Sequence, residues 1–304
     1  MTGFTGIVSF VFAATMATTL SAETRCPGNV ESVPLFPVNG HLFVMNVFIN
    51  DSGPYPFLLD TGTKFTIVDS SLAEELHLAN EGAAEVTGAG FSESASLATL
   101  GHIAAGSNAV ADLPVFAYNL ANMRSIHLHV RGIVGEDFLA HFDMLIDNAH
   151  GMLCLDNSGA MSSRIKGRHV QLLMLAGIED GRHLPRALIV QALLSNATRP
   201  VRLMLDSGSN AAVLYNSYQY LATGSFQGAN LQGSGTDGRQ RGYTSLPVQD
   251  VKIGSLEMNN VAFVTPVNGE KHPMTGEIDG LMGTSRFRWV FINHAGHFAV
   301  LDPR

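Results

Sequence analysis

Four scarcities bound this 304-residue sequence before any motif is read. It has 2 cysteines. Its 18 Lys+Arg face 26 Asp+Glu, a net charge of −8, and no basic run interrupts that acidic balance. Phosphate binding needs clustered Lys or Arg, so nucleic acid and anionic membrane surfaces are excluded as partners. The N-terminal apolar stretch, 6–14, is too short to span a bilayer. Histidines are present, but His127 and His129 at i and i+2, and His294 and His297 around Ala295-Gly296, have no nearby Cys and no third acidic ligand at metal-binding spacing. Structural or surface histidines are therefore expected, with no metal and no cofactor.

What is there begins with residues 1–22, which contain no charged side chain and end in Leu20-Ser21-Ala22 ahead of Glu23. An apolar stretch followed by small residues reads as a secretory signal peptide, implying export to a periplasm or the exterior. The missing Lys or Arg near Met1 leaves a buried N-terminal strand as the competing reading. Because Cys26 does not directly follow the small residues, a lipoprotein anchor is disfavoured. In an oxidising compartment Cys26 and Cys154 could pair and tie the N-terminal strand to the end of the first half; otherwise Cys154 is a small buried hydrophobe and Cys26 a free thiol.

Two short stretches organise the remainder. Leu58-Leu59-Asp60-Thr61-Gly62-Thr63 is matched, 206 − 60 or 146 positions on, by Met204-Leu205-Asp206-Ser207-Gly208-Ser209. Each sends an apolar run into a carboxylate, then into a hydroxyl-Gly-hydroxyl turn. A carboxylate at the end of a buried strand needs hydrogen bonds, and a glycine lets backbone N–H groups approach it. The same order recurs downstream: a Gly-rich tip at Gly88-Ala89-Gly90-Phe91 and again at Gly233-Ser234-Gly235, then Ile133-Val134-Gly135 and Leu281-Met282-Gly283. Leu155-Asp156 closes the first copy and Leu301-Asp302 the second.

Short strands and Gly, Pro and Asn-Asp turns dominate, so the class is mainly β. The one helix signal follows the first Asp turn at 72–76, where Ser71 and Glu74 form a capping-box pattern. The expected division is 1–22 signal peptide, 23–156 first lobe, 157–169 polar linker and 170–304 second lobe.

These motifs, in this order, resemble aspartic proteases of the retropepsin-like and pepsin-like group. Leu-Leu-Asp-Thr-Gly-Thr, Val-Thr-Gly-Ala-Gly and Gly-Ile-Val-Gly-Glu-Asp-Phe-Leu are similar to bacterial retropepsin-like members, while both copies sit in one chain as in pepsin-like ones. The resemblance implies two homologous β-rich lobes about a pseudo-twofold axis, with Asp60 and Asp206 meeting at the floor of a cleft that holds an extended peptide or protein substrate. It implies that Thr61 and Ser207 hydrogen-bond across the axis, and that Gly135 and Gly283 let backbone pass beneath the Asp turns. Residues 88–91 and 233–238 would be flaps. Neither tip carries the Tyr typical of a pepsin flap, which favours a two-flap cleft.

Two carboxyls within hydrogen-bonding reach share one proton, so one acts as base on a bridging water while the other acts as acid on the scissile carbonyl. The hydroxyls of Thr63 and Ser209 are expected to donate to the ionised carboxylate and extend activity to acid pH. A catalytically silent binding module with the same fold is the alternative from another class. A monomer is favoured, with pairing between two chains as the open alternative.

Overall fold

The computed structural model describes residues 26–38, 42–88, 91–126, 129–173, 178–179, 182–183, 186–215, 228–234, 239–267, 274 and 276–304. The 1–22 segment and the tip residues Ala89, Gly90 and Gly235 lie outside them, as does His127. The described chain is mainly β, in a thirteen-stranded sheet, a nine-stranded sheet and a two-stranded pair, Ile178–Glu179 with Arg182–His183.

Each lobe is built around the strand that carries its Asp. In the first, Ser52–Leu59 runs parallel to Gly132–Val134, which is antiparallel to Ile67–Asp69, itself parallel to Asn108–Tyr118. In the second, Val201–Asp206 runs parallel to Gly280–Gly283, which is antiparallel to Ala212–Leu214, itself parallel to Phe263–Pro266. The sequence duplication is therefore a duplication of topology. Parallel strands of this kind are covered on both faces and read as near-continuous apolar runs. Phe57, Leu58, Leu59, Leu203 and Leu205 are all fully buried, each contributing ~1.5–3 kcal/mol of burial free energy.

The lobes join through one sheet. Phe287–Asn293 pairs antiparallel with Asp143–Asp147, with Val290 opposite Ile146, Phe291 opposite Leu145 and Ile292 opposite Met144. Shifting each first-lobe residue by 146 maps that register onto itself, so the pseudo-twofold axis passes through the Leu145/Phe291 pair. One buried cluster runs across this sheet, from Leu59 and Phe138 through Ile146 and Val290 to Leu205.

One local expectation is corrected. The helix is Ser70–Glu75, and its cap is Asp69, whose carboxylate accepts the Ser71 N–H at 3.1 Å; a carboxylate just before the first turn competes better for those N–H groups than the Ser71 hydroxyl inside it. The start of the 157–169 segment is tied to the first lobe. Asp156 accepts N–H bonds from Ser158 and Met161 at 2.8 and 2.7 Å, and Met161 is buried in a cluster with Cys26, Cys154 and Phe291.

Cys26 and Cys154 form a disulfide across a sequence separation of 128. It fastens the chain's first described residue to the strand Met152–Asp156, which pairs with Asp143–Asp147 in the shared sheet. Closing so long a loop restricts the unfolded chain, so Cys26→Ala with Cys154→Ala should cost about 2–5 kcal/mol. Chemical denaturation of both proteins under non-reducing conditions checks this; equal midpoints would show that the bridge does not stabilise.

Candidate active site

Both Asp-containing turns end a buried strand at the boundary between lobes. Asp60 N–H donates to Val134 O at 3.1 Å, and Asp206 lies in register with Gly283. Each carboxylate accepts the N–H two residues on, Gly62 to Asp60 Oδ1 at 2.9 Å and Gly208 to Asp206 Oδ1 at 2.8 Å.

The hydroxyls interlock across the axis. Thr61 N–H donates to Ser207 Oγ at 3.0 Å and Ser207 N–H to Thr61 Oγ1 at 3.0 Å, while Thr61 Oγ1 donates to Leu205 O and Ser207 Oγ to Leu59 O, both at 2.9 Å. All four bonds are buried, so each fixes the position of one lobe against the other with little competition from water.

The two carboxyls are in contact. A Cβ placed on Gly62 would lie 2.7 Å from the Asp206 carboxyl, and one on Gly208 would lie 2.5 Å from that of Asp60. Each glycine belongs to one lobe and makes room for the catalytic-type side chain of the other. Burial pushes Asp60 above the ordinary carboxylate range, against the N–H of Gly62 and the hydrogen bond from Asp206. Burial pushes Asp206 well above that range, and the neighbouring Asp60 charge adds to it. The pair therefore retains a proton where ordinary carboxyls have lost theirs.

Backbone beneath the turns is equally close. A Cβ on Gly135 would meet Phe65 C at 2.7 Å and Thr63 Cγ2 at 2.9 Å, and one on Gly283 would meet Ser209 O at 2.5 Å. The hydroxyl expectation is corrected at Ser209. Ser209 Oγ donates to Ala211 O at 3.3 Å, so it braces its own turn, and it is the backbone N–H groups of Thr63 and Ser209 that lower the carboxylates.

The hairpins Gly82–Gly88/Phe91–Ala105 and Asn230–Ser234/Gln240–Ser245 occupy matching places in the two lobes. Gly88, Phe91, Gly233 and Ser234 end these strands. The hairpins meet: Arg239, just before the returning strand of the second, contacts Glu93 of the first at 2.7 Å. Glu93 also accepts from Tyr118 Oη at 2.7 Å.

Sequence reasoning missed two acidic groups beside the dyad. Asp137 accepts Thr66 N–H at 2.8 Å and Thr66 Oγ1 at 2.7 Å, yet burial outweighs those bonds and pushes it up to about 6. Glu136, fully buried, contacts His294 of the second lobe at 3.1 Å. Thr66 and Asp137 are 71 positions apart, and only the fold brings them together.

These shifts fix a pH dependence of stability. Asp137 and the dyad have folded values above the ordinary 3.8, so the folded state binds more protons there and stability falls as pH rises through that interval. Although burial opposes it, the Ser158 hydroxyl and N–H of Met161 hold Asp156 low, and Arg199 and the Arg202 N–H do the same for Asp279. Their stabilisation is present above 3.8 and lost below. Thermal midpoints should peak on the acid side of neutral, between about 4 and 6; a midpoint rising steadily through neutrality would contradict the assignment.

Residues 45–138 match the family model described as "Aspartyl protease". No curated protein matches the chain. Among solved structures, an aspartic proteinase from Irpex lacteus aligns at 12% identity and a TM-score of 0.52, over 90% of this chain and 97% of that one. A retropepsin-like aspartic protease from Rickettsia conorii aligns at 17% identity and a TM-score of 0.31, over 41% of this chain and 90% of that one.

Proposed function

We propose that this chain, an aspartic protease of the retropepsin-like and pepsin-like group by its first-lobe family match and whole-chain fold, is an exported endopeptidase whose chemistry is carried by Asp60 and Asp206. The observation that carries the reading is the pair of buried carboxyls, each lodged against the other lobe's glycine and together holding a proton. A water between them loses a proton to the ionised member as it attacks the scissile carbonyl. The protonated member donates a hydrogen bond to the carbonyl oxygen as charge develops there. The proton taken up then passes to the leaving amine as the C–N bond breaks, which returns that carboxyl to its ionised state while its partner keeps its proton.

The fold supports the substrate class. Two hairpins from opposite lobes meet through Glu93 and Arg239, and a cleft beneath them would suit a single extended strand rather than a folded domain. The Cys26–Cys154 disulfide supports an oxidising compartment, and residues 1–22 are proposed as the signal peptide that delivers the chain there.

Incubating the purified chain with an unfolded protein at mildly acid pH should yield new internal peptide ends by mass spectrometry. Release of single terminal residues alone, or no cleavage from acid to neutral pH, would overturn the endopeptidase reading.

A further inference from the structure

The segment beneath each Asp turn is gripped from the opposite lobe. In the first lobe, Glu136 follows Gly135 and its N–H donates to Thr63 O at 2.9 Å, inside the Asp60 turn. Its carboxylate contacts His294 Nε2 of the second lobe at 3.1 Å. The same 146-residue shift that maps the shared sheet onto itself carries Asn148 to His294. Asn148 of the first lobe donates through Nδ2 to Thr284 O at 2.9 Å and Phe287 O at 3.1 Å, and Thr284 follows Gly283 as Glu136 follows Gly135. The two contacts are symmetry mates with different chemistry: amide to carbonyl on the Asp206 side, imidazole to carboxylate on the Asp60 side.

The geometry around His294 dictates its protonation. Its Nδ1 lies 2.6 Å from Phe142 O, an acceptor only, so that nitrogen carries a hydrogen. Nε2 faces the Glu136 carboxylate, and an ionised carboxylate there requires a second N–H. Glu136 Oε1 is buried with no hydrogen-bond partner among the described residues, so the charge of Glu136 rests on this one contact. Among the described residues, the other charged group acting on the ring is Asp143, held by Asn293 Nδ2 at 3.0 Å. Both carboxylates are anionic, and together they favour an imidazolium.

We propose that His294 is a positioning residue: as a doubly protonated ring it grips Glu136 across the lobe boundary and so holds the Asp60 turn in place, a task that the neutral Asn148–Thr284 contact performs for Asp206. The proposal rests on reading Asp60 and Asp206 as the reacting pair. It adds that the two halves of the dyad differ in pH sensitivity, because only the Asp60 side hangs on an ionisable brace. Burial disfavours the charged ring, but the Glu136 bond and charge outweigh it and raise the value above 6.5. The stabilisation is thus fully present below 6.5 and lost as pH rises through the higher folded value.

The second lobe supplies the replacement for the test. His294→Asn alone leaves Glu136 buried without its cation; Glu136→Thr with His294→Asn copies the neutral mate. Three readouts apply to full-length wild type and both variants. Nitrogen-15 NMR of the imidazoles should show a ring in the wild type that keeps both nitrogens protonated as pH rises past 6.5, where ordinary histidines lose a proton, and that is absent from both variants. The thermal midpoint of His294→Asn should fall below that of the wild type by a margin that shrinks as pH rises, with the double variant recovering most of the loss. Turnover of a peptide should drop about tenfold in kcat with KM little changed in His294→Asn, and return in the double variant. A ring that loses its second proton at or below pH 6.5, or a single variant as stable and active as the double one at every pH, would overturn the brace. The NMR and thermal readouts need no turnover, so a protein showing the charged brace without peptidase activity would refute the proposed function alone.

Discussion

Asp60→Asn and Asp206→Asn should each reduce peptide hydrolysis below detection while leaving the protein folded. In the proposed mechanism the base and acid roles belong to a pair that holds one proton, and an amide can neither take a proton from water nor give one to the carbonyl oxygen. The loss should be in kcat, since neither substitution touches the hairpins to which the proposed function assigns the peptide. Stability should move the other way at neutral pH. Both carboxyls are buried and raised, so ionising the second costs folding free energy above its folded value, and an amide removes that cost. The N–H of Gly62 or Gly208 can still bond the amide oxygen. Residual cleavage by either purified variant, above that of a mock preparation, would sink the shared mechanism; a lowered thermal midpoint at neutral pH would contradict the buried repulsion.

Gly208→Ala and Gly62→Ala should be nearly as damaging, through geometry alone. The new methyl would sit 2.5 Å from the Asp60 carboxyl carbon in one and 2.7 Å from that of Asp206 in the other, closer than non-bonded carbons approach. Something must shift, and the interlocked Thr61 and Ser207 bonds leave the turns little freedom. The carboxyl on the opposite lobe swings instead. Displacement of about 1 Å at a reacting group costs on the order of 10² in rate, and losing the contact between carboxyls separates their proton equilibrium as well. The alanine variants should therefore lose at least about 100-fold in kcat/KM, with the acid and alkaline limbs of the pH profile moving toward each other. Near-wild-type turnover in both would mean that the carboxyls are farther apart than the glycine contacts imply.

The site was legible in the sequence to the extent that its parts are local and duplicated. Asp60 with Thr61-Gly62 and Asp206 with Ser207-Gly208 repeat within six-residue windows, and Gly135 and Gly283 are marked by the apolar pairs before them. The hydroxyl interlock followed from those residues by family resemblance, and the cysteine pairing was one of two readings of Cys26 and Cys154. Elsewhere the chemistry depends on neighbours that no short window contains. Ser209 turns to Ala211 because of the local backbone path. Asp137 is raised by a burial that its polar sequence context hides. The His294–Glu136 contact spans 158 positions; its one trace in the sequence is that Asp147-Asn148-Ala149 recurs as Asn293-His294-Ala295, placing a histidine where the first copy has an amide.

The central claim, that Asp60 and Asp206 form one buried unit sharing a proton, is tested most directly by titrating carbon-13-labelled aspartate carboxyls in the full-length protein, assigned by comparison with Asp60→Asn and Asp206→Asn. The account predicts that two wild-type carboxyls titrate together in two separated steps, one proton surviving well above the ordinary 3.8, and that either variant collapses this to a single step, while Asp137 titrates near 6 in all three. Independent titration of both carboxyls near 3.8 in the wild type would contradict it.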